Sequence, residues 1–236
     1  MGDSAWESYI ADFMESADLA ETTVGLTDEV KQLFARKSAI KDFFKVRFTA
    51  SAKDRHFAYF TNRTWRKFLL SIYYADILSY PVQEDQVDFP RLCYILSYAP
   101  QGFTVWWAEF ADGRKFPIGY TGWYSVAEPV FQQVAALAER EDRSISHRFF
   151  LPAQQATGYL YLFNYSIVQE LKGTRFSHTL IKDFAAEINS MAYRGLFCAT
   201  VSGDGRRVAE KFKMKKVGAI WDEAGQPADN IYLYQV

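Results

Sequence analysis

Apolar positions in the first eighty residues recur with helical spacing. Trp6, Tyr9, Ile10, Phe13 and Met14 follow the i, i+3, i+4, i+7 rule. Thr27 or Asp28 can cap a second helix that carries Val30, Leu33 and Phe34. Asn62 can cap a third, with Trp65, Phe68, Leu69, Ile72, Tyr73 and Ile77 on one face. One-sided apolar faces of this kind pack on a core, so residues 1–88 are expected to form a helical N-terminal region packed on the rest of the chain. Lys31, Arg36, Lys37, Lys41, Lys45 and Arg47 form a basic stretch. They read as a solvated face, or as a surface for an acidic partner such as an acyl carrier protein.

From about Phe89 the pattern shortens. Leu92 to Tyr98 reads as a strand. Thr104 to Ala111 and Phe116 to Val126 read as two strands joined at Asp112-Gly113, a hairpin signal. Glu128 to Arg140 has helical periodicity, and the charged run Glu139 to Arg148 reads as loop. Tyr159 to Val168 is rich in aromatic and β-branched residues and predicts a strand. A helix over Arg175 to Tyr193, a buried strand over Leu196 to Val201 and a short helix over Arg206 to Phe212 follow. Strands Lys216 to Trp221 and Ile231 to Tyr234 close the sheet. The class is α+β, a mixed central sheet flanked by helices, with residues 89–236 as one domain.

Composition narrows the function classes. The 236 residues are 49% hydrophobic and 17% aromatic, enough for a large core. The formal net charge of −1 provides no global basic field for nucleic acid. No apolar run reaches the roughly 20 residues a membrane span needs. The start Met1-Gly2-Asp3-Ser4-Ala5-Trp6 lacks a secretory pattern and has Trp6 where a myristoylation signal wants Ser or Thr. Cys93 and Cys198 lie in apolar runs and read as buried thiols of a reducing compartment, so a cytoplasmic location is expected. No metal cluster, Walker loop, nucleophile elbow or Cys-x-x-Cys stands out.

The chemistry concentrates where the ten-residue strand turns into a helix. Lys172-Gly173-Thr174-Arg175-Phe176-Ser177 is a turn of the kind that aims several backbone N–H groups at one point, where they can hold an anion such as a pyrophosphate. The segment resembles the acyl-CoA-binding core of the GNAT (Gcn5-related N-acetyltransferase) superfamily, whose signature there is R/Q-x-x-G-x-G/A. Lys172 stands for the first Arg or Gln, Arg175 for the middle Gly and Ser177 for the small last residue. The resemblance continues through Gly195 to Val201 and Val208 to Gly218, with Lys213-Met214 where Gly-Phe is usual, and spans roughly residues 104–236. A second likeness, over Phe116 to Trp123, Glu128 and Arg148-Phe149-Phe150-Leu151-Pro152, is to the hemolysin-type toxin-activating acyltransferases. Their catalytic Asp falls at Arg148 here, leaving His56 as the one candidate from that pair.

The GNAT resemblance implies transfer of an acyl group from acetyl-CoA or another acyl-CoA, the co-substrate, to an amine on a small molecule or protein. In that family the strand before the turn splays from its neighbour, and pantetheine lies in the gap. Here the strand-like partners would be Ile167 and Val168, with a backbone N–H near Val168 holding the oxyanion. Lys172, Gly173, Thr174, Arg175, Phe176 and Ser177 would hold the pyrophosphate. For proton transfer the family often uses a Tyr on the last helix, which aligns with Ala209 here, or an Asn opening that helix, which aligns near Ser202. The catalytic candidates are therefore Asn164 and Tyr165, which alternate on the strand, and His147, with His56 also open as a base. Tyr193, Tyr232 and Tyr234 are nearby phenols and His178 lies on the CoA helix. Two alternatives stand beside CoA-dependent transfer: a protein-lysine acyltransferase fed by acyl carrier protein, and a catalytically inactive GNAT fold used as a binding module.

Overall fold

Strand pairing and helix caps define the architecture of a computed structural model that describes residues 30–48, 63–80, 85–136, 149–151, 158–200, 202–221 and 227–235. Contacts divide the chain into two units, Met1–Tyr120 with Ser166–Ser177, and Thr121–Tyr165 with His178–Val236. The expected helix around Trp6 to Met14 lies outside the described residues.

The first unit holds a helical segment over residues 30–35, strand β1 (Ile40–Val46), helices α1 (Arg63–Ser79) and α2 (Phe89–Tyr98), and strand β2 (Phe103–Phe110). It also takes the beginning of β3 (Lys115–Val126) and the end of β5 (Tyr159–Ile167). The strand order here is β1-β2-β3-β5. β1 runs antiparallel to β2, from Ile40 opposite Phe110 to Val46 opposite Val105. This corrects the wholly helical reading of residues 1–88. Lys41, Asp42 and Lys45 break the apolar alternation of β1, as charges do on edge strands.

Leu92 to Tyr98 is likewise helix, not strand. Asp88 caps α2 by accepting from Arg91 N–H at 3.1 Å, Pro90 follows in the first turn, and Phe89, Leu92, Cys93 and Leu96 are buried with helical spacing. An apolar run this short does not distinguish strand from helix; the cap does. α1 buries Trp65, Phe68, Leu69, Ile72 and Ala75 as its periodicity requires. Its Asp76, fully buried, accepts from Tyr120 Oη–H at 2.7 Å and from Val87 N–H at 2.7 Å. The β2–β3 hairpin turns at Asp112-Gly113, with Gly113 at φ +84°.

The second unit orders its strands β3-β5-β6-β8-β7, with β6 at Gly195–Thr200, β7 at Lys215–Trp221 and β8 at Pro227–Gln235. The two-residue β4 (Phe150–Leu151) pairs with the end of β3. β5 and β6 are parallel, whereas β8 is antiparallel to both its neighbours. Helices α3 (Glu128–Ala135), α4 (Arg175–Asn189, opening in the first unit) and α5 (Gly203–Lys211) complete it. Leu160, Leu162, Leu196, Cys198 and Tyr232 of the sheet meet Ile181, Phe184 and Ile188 of α4, Val208 and Ala209 of α5 and its C-cap Phe212 in one core. A separate aromatic cluster joins Tyr124, Tyr159, Tyr161 and Phe197 to Phe131 of α3, including the Phe131–Tyr159 stack at 4.1 Å. Among the described residues no helix is long and apolar enough to cross a membrane.

Candidate acyl-donor site

In the first unit, β5 ends in a chain of short-range bonds that shape the turn. Val168 N–H donates to Ile118 O at 2.8 Å, Leu171 N–H to Val168 O at 3.0 Å and Lys172 N–H to Gln169 O at 3.2 Å. Gln169 Nε2 reaches Ser79 O at 2.7 Å, tying the turn to the end of α1. Gly173 then reverses the chain at φ +69°, a left-handed conformation that favours glycine. A Cβ at Gly173 would meet no heavy atom within 4 Å, so backbone angle, not crowding, calls for glycine here.

Thr174 organises the entry to α4. Its Oγ1 donates to Leu171 O at 2.6 Å and accepts Phe176 N–H at 3.3 Å, while Ser177 Oγ donates to Thr174 O at 2.9 Å. Phe176 is buried edge-on against Phe43 at 5.2 Å and acts as an anchor. Lys172 and Arg175 are exposed, and the Arg175 guanidinium lies 4.9 Å from the Phe176 ring centre. The start of a helix concentrates N–H groups without intrahelical partners and carries the positive end of the dipole. Of the turn's N–H groups, those of Lys172, Thr174 and Phe176 are already engaged.

Val168 N–H is also committed, which removes it as an oxyanion donor. Successive N–H groups of extended chain point to opposite edges, so Ile167 N–H points away from Ile118.

In the second unit, the parallel ladder between β5 and β6 ends at Tyr161 opposite Phe197. β6 continues to Thr200 on its β8 side, where Thr200 lies opposite Asn230. From Leu162 onward β5 has left its neighbour. The strand is irregular there: Leu162 and Tyr165 both pack on the α4–α5 core, yet residues three apart in a regular strand face opposite sides. The parallel pairing of β5 with β6 thus covers only Tyr159–Tyr161.

Tyr165 is mostly buried, and burial, with the Asp204 carboxylate second, pushes its phenol up to about 12. It keeps its proton at neutral pH. Asn164 is half-buried next to it in the chain. Ala209 is buried in the core and carries no titratable group where the family's Tyr aligns. Ser202 caps α5, accepting from Gly205 N–H at 3.1 Å. Burial also raises Tyr193, with Tyr234 second, and raises Tyr232 in the core, where Glu210 follows. His178 is exposed. His147 and His56 lie outside the described residues.

Asp204 was not singled out from the sequence as a partner of Tyr165. Its place in the first turn of α5, after the Ser202 cap, was the available signal. Both cysteines are buried and free; burial first raises the Cys93 thiol and pushes Cys198 up to about 12. Among the described residues no cluster of His, Cys, Asp and Glu could hold a metal ion.

Comparison with known proteins agrees at the level of fold. The loading GNATL domain of CurA from Lyngbya majuscula matches 83% of this chain and 98% of its own at 12% identity, with a TM-score of 0.52. The GphF GNAT-like decarboxylase, solved with isobutyryl-CoA, matches 72% and 95% at 15% identity, also with a TM-score of 0.52. The NatC complex, solved with Gag peptide and CoA, matches 83% and 99% at 8% identity and a TM-score of 0.50. No family model and no curated protein matches the sequence. The chain has the GNAT acyltransferase fold, a mixed sheet flanked by helices.

Proposed function

We propose that the chain is an N-acyltransferase that moves an acyl group, most simply acetyl, from a CoA thioester to an amine on a small molecule or protein. The observation that carries this reading is the end of the β5–β6 ladder at Tyr161, on the strand that leads into the Gly173 turn. Pantetheine would bond to the freed backbone of β5, and the pyrophosphate would sit at the turn from Lys172 to Ser177. The solved GNAT-like decarboxylase with isobutyryl-CoA and the NatC complex with CoA support a CoA thioester as the ligand of such a fold.

The reaction balances without a further reagent. The amine nitrogen attacks the thioester carbonyl carbon, the C–S bond breaks and the amine loses one proton while the thiolate gains one. Ile167 N–H would hold the developing oxyanion. Tyr165, protonated at neutral pH, would donate to the departing sulfur but could not act as base. Asn164 would orient the amine, and His147 is the candidate to take its proton.

The inactive-module reading is favoured by one observation, the buried Ala209 where the family's acid stands. Calorimetric titration with acetyl-CoA, CoA and palmitoyl-CoA separates the readings. The enzyme reading expects acetyl-CoA binding that Gly173→Trp abolishes, and transfer to an amine panel. Binding without transfer would leave the module. Binding of palmitoyl-CoA alone would point to a long-chain donor. No binding of any would exclude a CoA donor and leave either a carrier-protein donor or a non-catalytic fold.

A further inference from the structure

The last corner of the second unit, where α5 passes into β7, carries more positive charge than the fold requires. Arg206 pairs with Glu210 at 3.7 Å and Arg207 with Asp204 at 3.3 Å, so both carboxylates of α5 have a cation. Lys211, Lys213, Lys215 and Lys216 are all exposed and have no ion-pair partner among the described residues. Four uncompensated lysines within six residues stand out on a chain of formal net charge −1.

Two features separate this cluster from an ordinary solvated face. Lys213 is held at φ +60°, the one non-glycine residue with positive φ among those described. A lysine kept in a conformation that favours glycine is a strained choice, and such strain marks positions retained for another reason. Next to the lysines, β7 exposes large apolar side chains: Val217 is 46% and Trp221 61% exposed. β7 is the last strand of the order, with one edge unpaired among the described residues. Lysines on an edge strand guard against aggregation. That explains Lys215 and Lys216, but not Lys213, which precedes the strand, nor an exposed tryptophan on the strand itself.

We propose that the α5–β7 corner is a docking surface for an acidic protein segment that carries at least one large apolar side chain. The lysines select the partner by charge complementarity, and Val217 and Trp221 provide the apolar contact. A nucleic acid fits less well, because the cluster is confined to one turn and strand start, and the chain has no wider basic field. The lysine end of this surface lies away from the separated strands, whereas its Trp221 end lies past Ala219. Lys215 is level with Leu233 and so with Phe197, whereas the unpaired stretch of β6 runs the other way to Thr200, level with Ala219.

Fluorescence anisotropy of a fluorescein-labelled polyglutamate peptide with a central Leu-Phe pair tests this on the full chain. The expected result is saturable binding, about tenfold weaker after charge reversal at Lys211, Lys213, Lys215 and Lys216 (each Lys→Glu), from four surface pairs worth a few tenths of a kcal/mol apiece. Trp221→Ala should weaken it further. Lys213→Gly provides a control for folding: it should raise Tm by about 2 °C while weakening the peptide. The proposal is overturned by no binding, by equal binding in the reversed variant, or by preference for oligothymidylate over the peptide. A higher Tm for Lys213→Gly with unchanged affinity would likewise overturn it.

Discussion

Tyr165 keeps its proton because ionising it would place a charge in the α4–α5 core beside Asp204. The sign of the consequence is fixed: a phenol raised from its ordinary value near 10 to about 12 stabilises the fold below pH 10, and that contribution is lost as pH rises from about 10 to about 12. Tyr165→Phe should flatten the pH dependence of the urea midpoint across this window. If Tyr165 also donates to the leaving sulfur, the same variant loses about a hundredfold in kcat with acetyl-CoA affinity unchanged, within the usual range for a general acid. Gly195 is bound by space and not by backbone angle. A Cβ there would lie 2.7 Å from Tyr234 O and 3.0 Å from the Tyr159 ring. Gly195→Ala should therefore cost about 2 kcal/mol, read as a lower urea midpoint with an unchanged m-value.

At the scale of elements, what could be read from the sequence depended on how far an element's pattern is set by its own residues. β5, α4, β6 and α5 announce themselves by long apolar or helical runs, and the hairpin by Asp112-Gly113. β1 and α2 do not. β1 carries the charges of an edge strand, and the seven residues after Arg91 are apolar enough to suit either geometry. The Gly173 turn was legible because φ +69° restricts the residue type. The commitment of Val168 N–H to Ile118 was not, since a strand partner more than forty residues away leaves no local trace. Nor was the Asp76–Tyr120 bond, although a carboxylate on the apolar face of α1 invites a partner. Tyr120→Phe removes a donor from this buried carboxylate and should cost about 2 kcal/mol in equilibrium unfolding. The irregular part of β5 makes its own prediction. Saturating acetyl-CoA should slow hydrogen exchange at one or more amides of residues 163–165, while those of 159–161, already in the ladder, should change little.

For the whole molecule, charge and composition excluded more than they assigned: a near-neutral chain with 49% hydrophobic residues is a folded protein without a nucleic-acid field, and nothing in those totals names a thioester. The proposed function rests on one strand and one turn, and such a site must show itself in global stability. A ligand that binds the folded chain alone stabilises it by an amount fixed by its concentration relative to Kd, about 2.7 kcal/mol at a hundredfold excess over Kd. For a chain of this length that corresponds to a Tm rise of roughly 5–11 °C. Acetyl-CoA should produce this shift in the native protein, and Tyr165→Phe should retain it, because that phenol is assigned to proton transfer and not to donor binding. Gly173→Trp should abolish the shift. A native protein whose Tm stays fixed in a large excess of acetyl-CoA, CoA and palmitoyl-CoA would place the donor elsewhere, on a carrier protein, and would make the separated strands a groove for its pantetheine arm alone.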